Sequence, residues 1–328
     1  MLQQIILLVA LGAFTGSPPY EPAANGPLSG GPLSAARPQM ATYAWRLLTP
    51  SAPFPKSYNF QIFSIRDTLW ALQDEGAWYS VDGRVWQRSP LPEVIGNNAF
   101  LDYPWFNNAL YALGTFEGNI ERFTFTSAIH RTTDLRHWER VADSSNLPRR
   151  FFYHPFVFDD KLWIIGGTDG RTQYADVWNS PDAVHWIKQA DDLPFGVRQG
   201  SHVVFHQRRL VLLNSDAWSS TDAIHWSRLA EELAPEEVFG YAPIVYDGQI
   251  WLLGCNRNNV FKSEALVSLD GMSWRTEKAP WSPRGGACAC LHKGSVMMTG
   301  GKSGGLPDHP AFRYSNDVWT LEITPKSR

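Results

Sequence analysis

A tryptophan recurs down the chain with the same punctuation before it, and few folds tolerate such a period. The stretches read Ser80-Val-Asp82-Gly83-Arg-Val-Trp86, Thr132-Thr-Asp134-Leu-Arg-His-Trp138, Ser180-Pro-Asp182-Ala-Val-His-Trp186, Ser220-Thr-Asp222-Ala-Ile-His-Trp226 and Ser268-Leu-Asp270-Gly-Met-Ser-Trp274. The steps from Asp to Asp are 52, 48, 40 and 48 residues. Between them lie only short apolar runs and turn residues. A period of about 40–50 residues built that way is what one blade of a β-propeller produces.

Each unit reads as four strands. The first runs inward from a polar start, as in Arg150-Phe-Phe-Tyr-His154 and Arg198-Gln-Gly-Ser-His202. The second is apolar, as in Lys161-Leu-Trp-Ile-Ile-Gly-Gly167, and the third alternates, as in Asp176-Val-Trp-Asn-Ser180. The repeated Asp then makes a turn into a fourth strand holding the repeated Trp. Short alternating runs bounded by turn residues are strand signals. Asp bonds the backbone N–H groups just downstream, and Gly83 and Gly271 accept positive φ. The large apolar face of the Trp is expected to pack between neighbouring blades.

Counting forward from the Trp fixes the number of blades. Trp86 to Asn98, Trp138 to Arg150, Trp186 to Arg198 and Trp226 to Val238 are each 12 residues, and Trp274 to Arg284 is 10. Trp45 to Ser57 is again 12, although no hairpin precedes Trp45, while the last unit stops at Asp317-Val-Trp-Thr-Leu-Glu-Ile323 with no fourth strand. Residues 42–48 are therefore expected to supply it, which closes the ring and removes two open sheet edges. The fold class is all-β: a six-bladed propeller over 42–325, closed by an N-terminal strand. Six tryptophans then fall at the fourth-strand position and seven in second or third strands; only Trp105 and Trp281 stand outside the repeat.

The bulk numbers exclude several partners. A net charge of −3, with no long basic run, argues against nucleic acid, which needs a dense Lys/Arg surface. The three cysteines, Cys255, Cys288 and Cys290, make no disulfide framework. Cys288 and Cys290 share a strand face and read as buried thiols. The apolar run Ile5–Phe14 is too short to span a bilayer and suits a signal peptide over 1–16, with 17–41 a flexible Pro/Gly-rich leader. The mature protein is then expected to be secreted or periplasmic, without a membrane span, and monomeric.

At this point the chain resembles kelch-repeat propellers, including the central domain of galactose oxidase-like proteins. The matching residues are the diglycines Gly166-Gly167 and Gly300-Gly301, the Asp-Val-Trp runs 176–178 and 317–319, and the Arg-to-His steps 150–154 and 198–202. Only two of the six units keep the diglycine. The hairpin also looks like the Asp-box of sialidases, with one residue fewer between Asp and Trp, and reads as structural. Copper oxidase chemistry would need a tyrosine and histidine ligand set with a cross-linked cysteine, which the sequence does not offer. Zinc, phosphate-loop and nucleophile-elbow signatures are also missing, so no cofactor or metal is expected.

Kelch-like folds host unrelated activities, so the site has to be argued from residues. The loops joining strands two and three and those leading from strand four to the next strand one share a face. The equivalent starting positions there include Arg150, Arg198 and Arg284; four residues later come Gln61, Asp102, His154, His202, Ala242 and Cys288. Arginine binds carboxylates in bidentate fashion, so the three either take an acidic ligand at one mouth or bond neighbouring loop carbonyls. Tyr153, Tyr241 and Trp281 fall near the same rim as ligand contacts. Asp102, His154, His202 and Glu237 are the acid–base candidates. The loops between strands two and three are short in units one and four and long in the others, which predicts a groove across the face. The reading that follows is an exported binding module for a glycan or protein, its ligand acidic. The alternative is a sugar-active enzyme, similar to kelch-type sialic acid mutarotases, on the same face.

Overall fold

The computed structural model describes residues 42–58, 60–73, 76–89, 102–119, 122–305 and 311–324. The signal-like run and leader over 1–41, and Asn98 at the start of the second unit, lie outside them.

The repeated hairpin is held by its own Ser/Thr and Asp. In the third copy, Asp182 Oδ1 accepts the N–H groups of Val184 (2.9 Å) and His185 (2.8 Å), and its Oδ2 meets His185 Nδ1 at 2.7 Å. Ser220 Oγ in the fourth copy accepts the Ala223 N–H at 2.9 Å. The residue after Asp is left-handed in all five copies: Gly83 (φ 75), Leu135 (58), Ala183 (68), Ala223 (65) and Gly271 (77). The indole of the repeated Trp donates back to that residue's carbonyl, at 3.0 Å for Trp86, Trp186 and Trp226. These bonds end the turn at the Trp itself. Trp86, Trp186 and Trp226 stand one residue ahead of the fourth strands, as does Trp138, whose indole N–H has no partner among the described residues; only Trp274 opens a strand, Trp274–Lys278.

Removing the Asp182 side chain leaves two backbone donors without their acceptor. Asp182→Ala is expected to cost about 1–2 kcal/mol, read by urea denaturation; an unchanged midpoint would remove the turn from the stability argument. The same bonds set an acid limit. Burial alone would raise the Asp134 and Asp182 carboxyls, but hydrogen bonds from the side chains and N–H groups of His137 and His185 outweigh it and bring each down to about 2. A depressed carboxyl stabilises the fold above its ordinary value near 3.8 and loses that contribution as pH falls towards 2. Both turns are partly exposed, so solvent screens the effect.

Twenty-six strands among the described residues form six antiparallel sheets. The first strands of blades one to four are Gln61–Ile65, Trp105–Phe106, His154–Phe158 and His202–His206. Those of blades five and six are Ala242–Tyr246 and Gly285–His292. The first strands of blades three to six pack one on the next, and Gln61–Ile65 of blade one meets Gly285–His292 of blade six. Blade six takes Thr42–Thr49 as its outer strand, antiparallel to Val318–Thr324, with Trp45 opposite Leu321. The N-terminal strand thus closes the propeller as the count predicts. No helix among the described residues is long and apolar enough to cross a membrane.

The core lies between the blades. Trp186 and Ala183 of blade three pack with Tyr111, Leu113 and Ile129 of blade two, and Trp226 of blade four packs with Trp163 and Ile165 of blade three. Cys288 and Cys290 face blade one together, among Phe54, Ile62 and Trp86. Burial pushes both thiols up, away from the reactive thiolate. On the upper face, which carries the strand-two-to-three loops, backbone bonds stitch blade to blade. Gly167 N–H donates to Arg198 O (2.7 Å) and Gly286 N–H to Gly240 O (2.7 Å). The diglycine permits the first of these: a Cβ on Gly166 would lie 2.4 Å from Arg198 O.

Candidate functional site

The upper face is uneven, and its shape follows from strand length. Blade one turns from Gln73 to Gly76 and blade four from Leu213 to Ala217. The middle hairpins of blades two and five run on to Asn119–Arg122 and Arg257–Val260. The loop over 166–176 adds height in blade three. Blades one and four sit opposite each other in a ring of six, so low rims face each other across the axis.

Beneath this face runs a chain of polar side chains, one from each of blades one to four. Gln61 Nε2 donates to Asp102 Oδ1 at 2.9 Å, and Gln61 Oε1 accepts the Tyr103 N–H at 3.0 Å. Asp102 Oδ2 lies 3.0 Å from His154 Nδ1, and the His154 ring stands 5.4 Å from that of His202. His202 in turn packs on Tyr241, 5.6 Å between ring centres. A carboxylate only accepts, so the Nδ1 proton of neutral His154 points at Asp102 and the lone pair sits on Nε2. Nε2 takes no partner among the described residues. His202 is buried, and its Nδ1 has no partner among the described residues either. Burial first, and His154 second, hold its imidazole well below the ordinary 6.5. Since the unfolded chain takes up that proton and the folded one does not, stability should fall as pH drops below about 6.5.

The arginines do something different. Arg150 turns into its own blade, with Nη1 on Asp176 Oδ1 (2.6 Å) and Gly166 O (3.0 Å), Nη2 on Asp176 Oδ2 (3.2 Å) and Nε on Pro148 O (3.3 Å). Arg284 repeats the clamp on Asp317, Gly300 O and Ser282. The third-strand Trp178 and Trp319 donate to the same carboxylates, at 2.7 and 2.8 Å. Both guanidinium groups are buried and fully engaged, so an incoming carboxylate would have to displace Asp176 or Asp317. Arg198 keeps only its bond to Asp216, 2.6 Å, because the short loop of blade four brings no glycine carbonyl. Its Nε and Asp216 Oδ1 are left buried without partners among the described residues. Arg150→Met would strand the buried Asp176 and is expected to cost about 3–5 kcal/mol, against a smaller loss for Arg198→Met; equal midpoints in urea would contradict the clamp.

The remaining expected contacts separate. Trp281 is buried between blades five and six, edge-on to Trp45 at 4.3 Å and near Trp319 at 6.4 Å. The structure thus gives it the packing role across the shortened loop. Tyr153 lies in the core of blades two and three, its hydroxyl donating to Leu113 O at 3.3 Å. Tyr241 donates to Asn214 O on the low rim of blade four while its ring supports His202. Glu237 is exposed on the rim of blade five, its backbone bonded to Asn258. Trp105 takes the first strand of blade two, against the core shared with blade one.

Two features escaped the sequence reading. Phe152 holds φ 58 where blades four to six have Gly200, Gly240 and Gly286, a costly conformation for an aromatic residue, two positions before His154. Lys302 is buried on blade six beneath aromatic rings. The alignment of strand starts that collects Gln61, Asp102, His154 and His202 also carries the signal for the first. Among the described residues no group of three or more His, Cys, Asp or Glu is placed to hold a metal ion.

No family model matches the chain, and no curated protein matches it. A solved structure titled "Structure of YjhT" superposes with a TM-score of 0.65 over 85% of this chain and 100% of that one, at 13% identity. Identity that low speaks to fold alone: the chain is a six-bladed β-propeller, similar in architecture to that protein.

Proposed function

We propose that this propeller binds a saccharide across the groove of its upper face and exchanges a proton with it through His154. The observation that carries the reading is the Asp102–His154 pair at 3.0 Å, with His154 Nε2 left over. An imidazole fixed by a carboxylate is the arrangement of an oriented general base. Opening the ring of a reducing sugar needs a base on the anomeric hydroxyl and an acid on the ring oxygen; His154, once protonated, can return the proton. The activity is then of the mutarotase or epimerase kind. Hydrolysis would need two carboxyl groups flanking the bond, and Asp102 is already held by Gln61 and His154.

The test is interconversion of sugar anomers followed by proton NMR over a set of neutral and acidic reducing sugars. Acceleration by the wild type that disappears in His154→Gln supports the reading. Binding on a glycan array, with no acceleration for any sugar, would instead favour a second reading, a non-catalytic module for a glycan or protein. The long hairpins of blades two and five favour that one, since with short turns at blades one and four between them the face would suit an extended ligand lying across it. The motif likeness to kelch propellers and the signal-like run over 1–16 add an exported, kelch-type protein to the proposal. A mature N-terminus determined as Met1 would remove the export.

A further inference from the structure

Three blades carry an arginine at the approach to the first strand, and in one of them the clamp stays open. Arg150 and Arg284 each grip both oxygens of their aspartate and a glycine carbonyl. In blade four Arg198 holds Asp216 by a single bond, Nη2 to Oδ2 at 2.6 Å, and Trp218 donates to that same oxygen at 2.8 Å. Asp216 Oδ1 and Arg198 Nε are buried without a partner among the described residues, and Arg198 Nη1 has none there either. The carbonyl that closes the other clamps has been diverted. Asn214 stands where blade three has Gly166, its N–H on Asp216 O as that of Gly166 is on Asp176 O, each at 3.0 Å. Its carbonyl accepts the hydroxyl of Tyr241 from blade five instead. Arg198 is also the most accessible of the three, its side chain 16% exposed against 0% for Arg150 and 1% for Arg284.

The unbonded atoms are donors on one side and an acceptor on the other, in a pair whose net charge is zero. A buried polar atom without a partner costs stability, and blades three and six show that this fold can close the clamp. A carboxylate offers only acceptors; set on Arg198, it would face Asp216 Oδ1 as a like charge. An ammonium has the reverse fault. A hydroxyl both accepts and donates, so one hydroxyl can take an N–H of Arg198 and give its proton to Asp216 Oδ1. The half-buried ring of Phe195 stands 5.4 Å from the guanidinium carbon and adds an apolar face beside the polar pair. The place is close to the axial chain. Tyr241, which holds Asn214 O, packs on the ring of His202 at 5.6 Å, and the turn of blade four keeps the rim low here.

We propose that Arg198 and Asp216 form a hydroxyl-recognition subsite on the upper face, selecting a neutral saccharide over an acidic one. The idea rests on the saccharide reading above and narrows it. Arg150 and Arg284 are closed and Arg198 is balanced by Asp216, so none of the three is left to neutralise a carboxylate on the ligand.

The experiment follows the Arg198 side-chain ¹⁵Nε–¹Hε resonance of the full chain, with affinities read from the same titrations. The additions are glucose, galactose and mannose, their uronic acids, their deoxy analogues, and then glycerol, acetate and sodium chloride. The neutral sugar that binds best is expected to move the resonance and to bind tenfold or more tighter than its uronic acid. One of its deoxy analogues should lose tenfold or more, which identifies the bridged hydroxyl. Asp216→Asn keeps an oxygen for Trp218 and puts an N–H₂ where Oδ1 stands. The subsite then holds only donors and a net positive charge, and the preference should turn towards the uronic acid by tenfold or more. Arg198→Met combined with Asp216→Asn should weaken the neutral sugar tenfold or more with no gain for the acid, and melting curves of both variants keep folding out of the result. If glycerol moves the resonance while no sugar binds, the subsite stands and the saccharide reading fails. If sugars bind and neither the deoxy analogues nor Asp216→Asn changes the order of affinity, the subsite fails and the saccharide reading stands. A wild type that prefers the uronic acid also overturns the subsite. If nothing binds and the resonance never moves, both are wrong.

Discussion

A chain starting at residue 51 should not hold its ring, whereas one starting at Ala41 should melt as the full chain does. The strand lost is Thr42–Thr49, paired with Val318–Thr324 from Thr42 opposite Thr324 to Thr49 opposite Val318. It touches three blades. Within blade six, Arg46 pairs with Glu322 and Trp45 stands edge-on to Trp281 at 4.3 Å. Towards blade five, the Tyr43 hydroxyl donates to Asp247 Oδ2 at 2.6 Å, and its ring meets Trp251 at 4.9 Å. Towards blade one, Thr49 Oγ1 donates to the carbonyls of Gly83 and Arg84, at 2.9 and 3.1 Å. Truncating a fully buried aromatic residue costs about 3–5 kcal/mol, Tyr43 and Trp45 are each half-buried and so contribute less apiece, and a whole domain is stable by about 5–15 kcal/mol. Loss of the strand removes Tyr43 and Trp45 together and bares the edge of Val318–Thr324, a template for aggregation. Differential scanning calorimetry of the two truncations decides it: equal melting temperatures would mean that closure contributes nothing.

Closure was legible because it depends on a count along the chain. The same is true of the turns, where Ser/Thr, Asp and Trp lie within seven residues and bond one another, so a local pattern carries the whole structure. Even there the sequence pointed to glycine for the left-handed position, and three copies use Leu135, Ala183 and Ala223, held by the Asp and Ser bonds around them. The site was half legible. Offsetting each strand start by four residues collected Gln61, Asp102, His154 and His202, which do form one chain; nothing in the sequence says which of them bond, since each comes from a different blade. For the arginines the sequence left a ligand and loop carbonyls both open, for the same reason. Arg150 and Asp176 sit in one blade but are separated by two strands and a loop, and only their pairing shows that the guanidinium faces inward. Trp281 meets Trp45 across the closure, and Lys302 meets Tyr58 across the junction with blade one. Such contacts leave no period to read.

The largest effect on activity should come from the axial pair. Replacing His154 with Gln keeps a polar side chain but removes a group able to take and return a proton; general acid–base catalysis contributes about 10²–10⁴-fold, and a loss of that size in sugar interconversion is expected with binding retained. Asp102→Asn should lose nearly as much by a different route. An amide can turn its N–H₂ towards His154 Nδ1, which moves the ring proton to Nε2 and leaves the base without its lone pair there. The two losses should not add, because each disables the same proton transfer. His202 separates this mechanism from a general disturbance of the groove. It remains uncharged well below 6.5 and so supplies no titrating step in the working range. His202→Gln should therefore leave the pH dependence of the rate in place, and it should flatten the fall in stability below about pH 6.5. Rate against pH for the three variants, with melting curves taken at the same pH values, tests the assignment. A His154→Gln protein that still accelerates interconversion would place the chemistry elsewhere on the face, and a multiplicative loss in the double variant with Asp102→Asn would show that the two residues do not act as one pair.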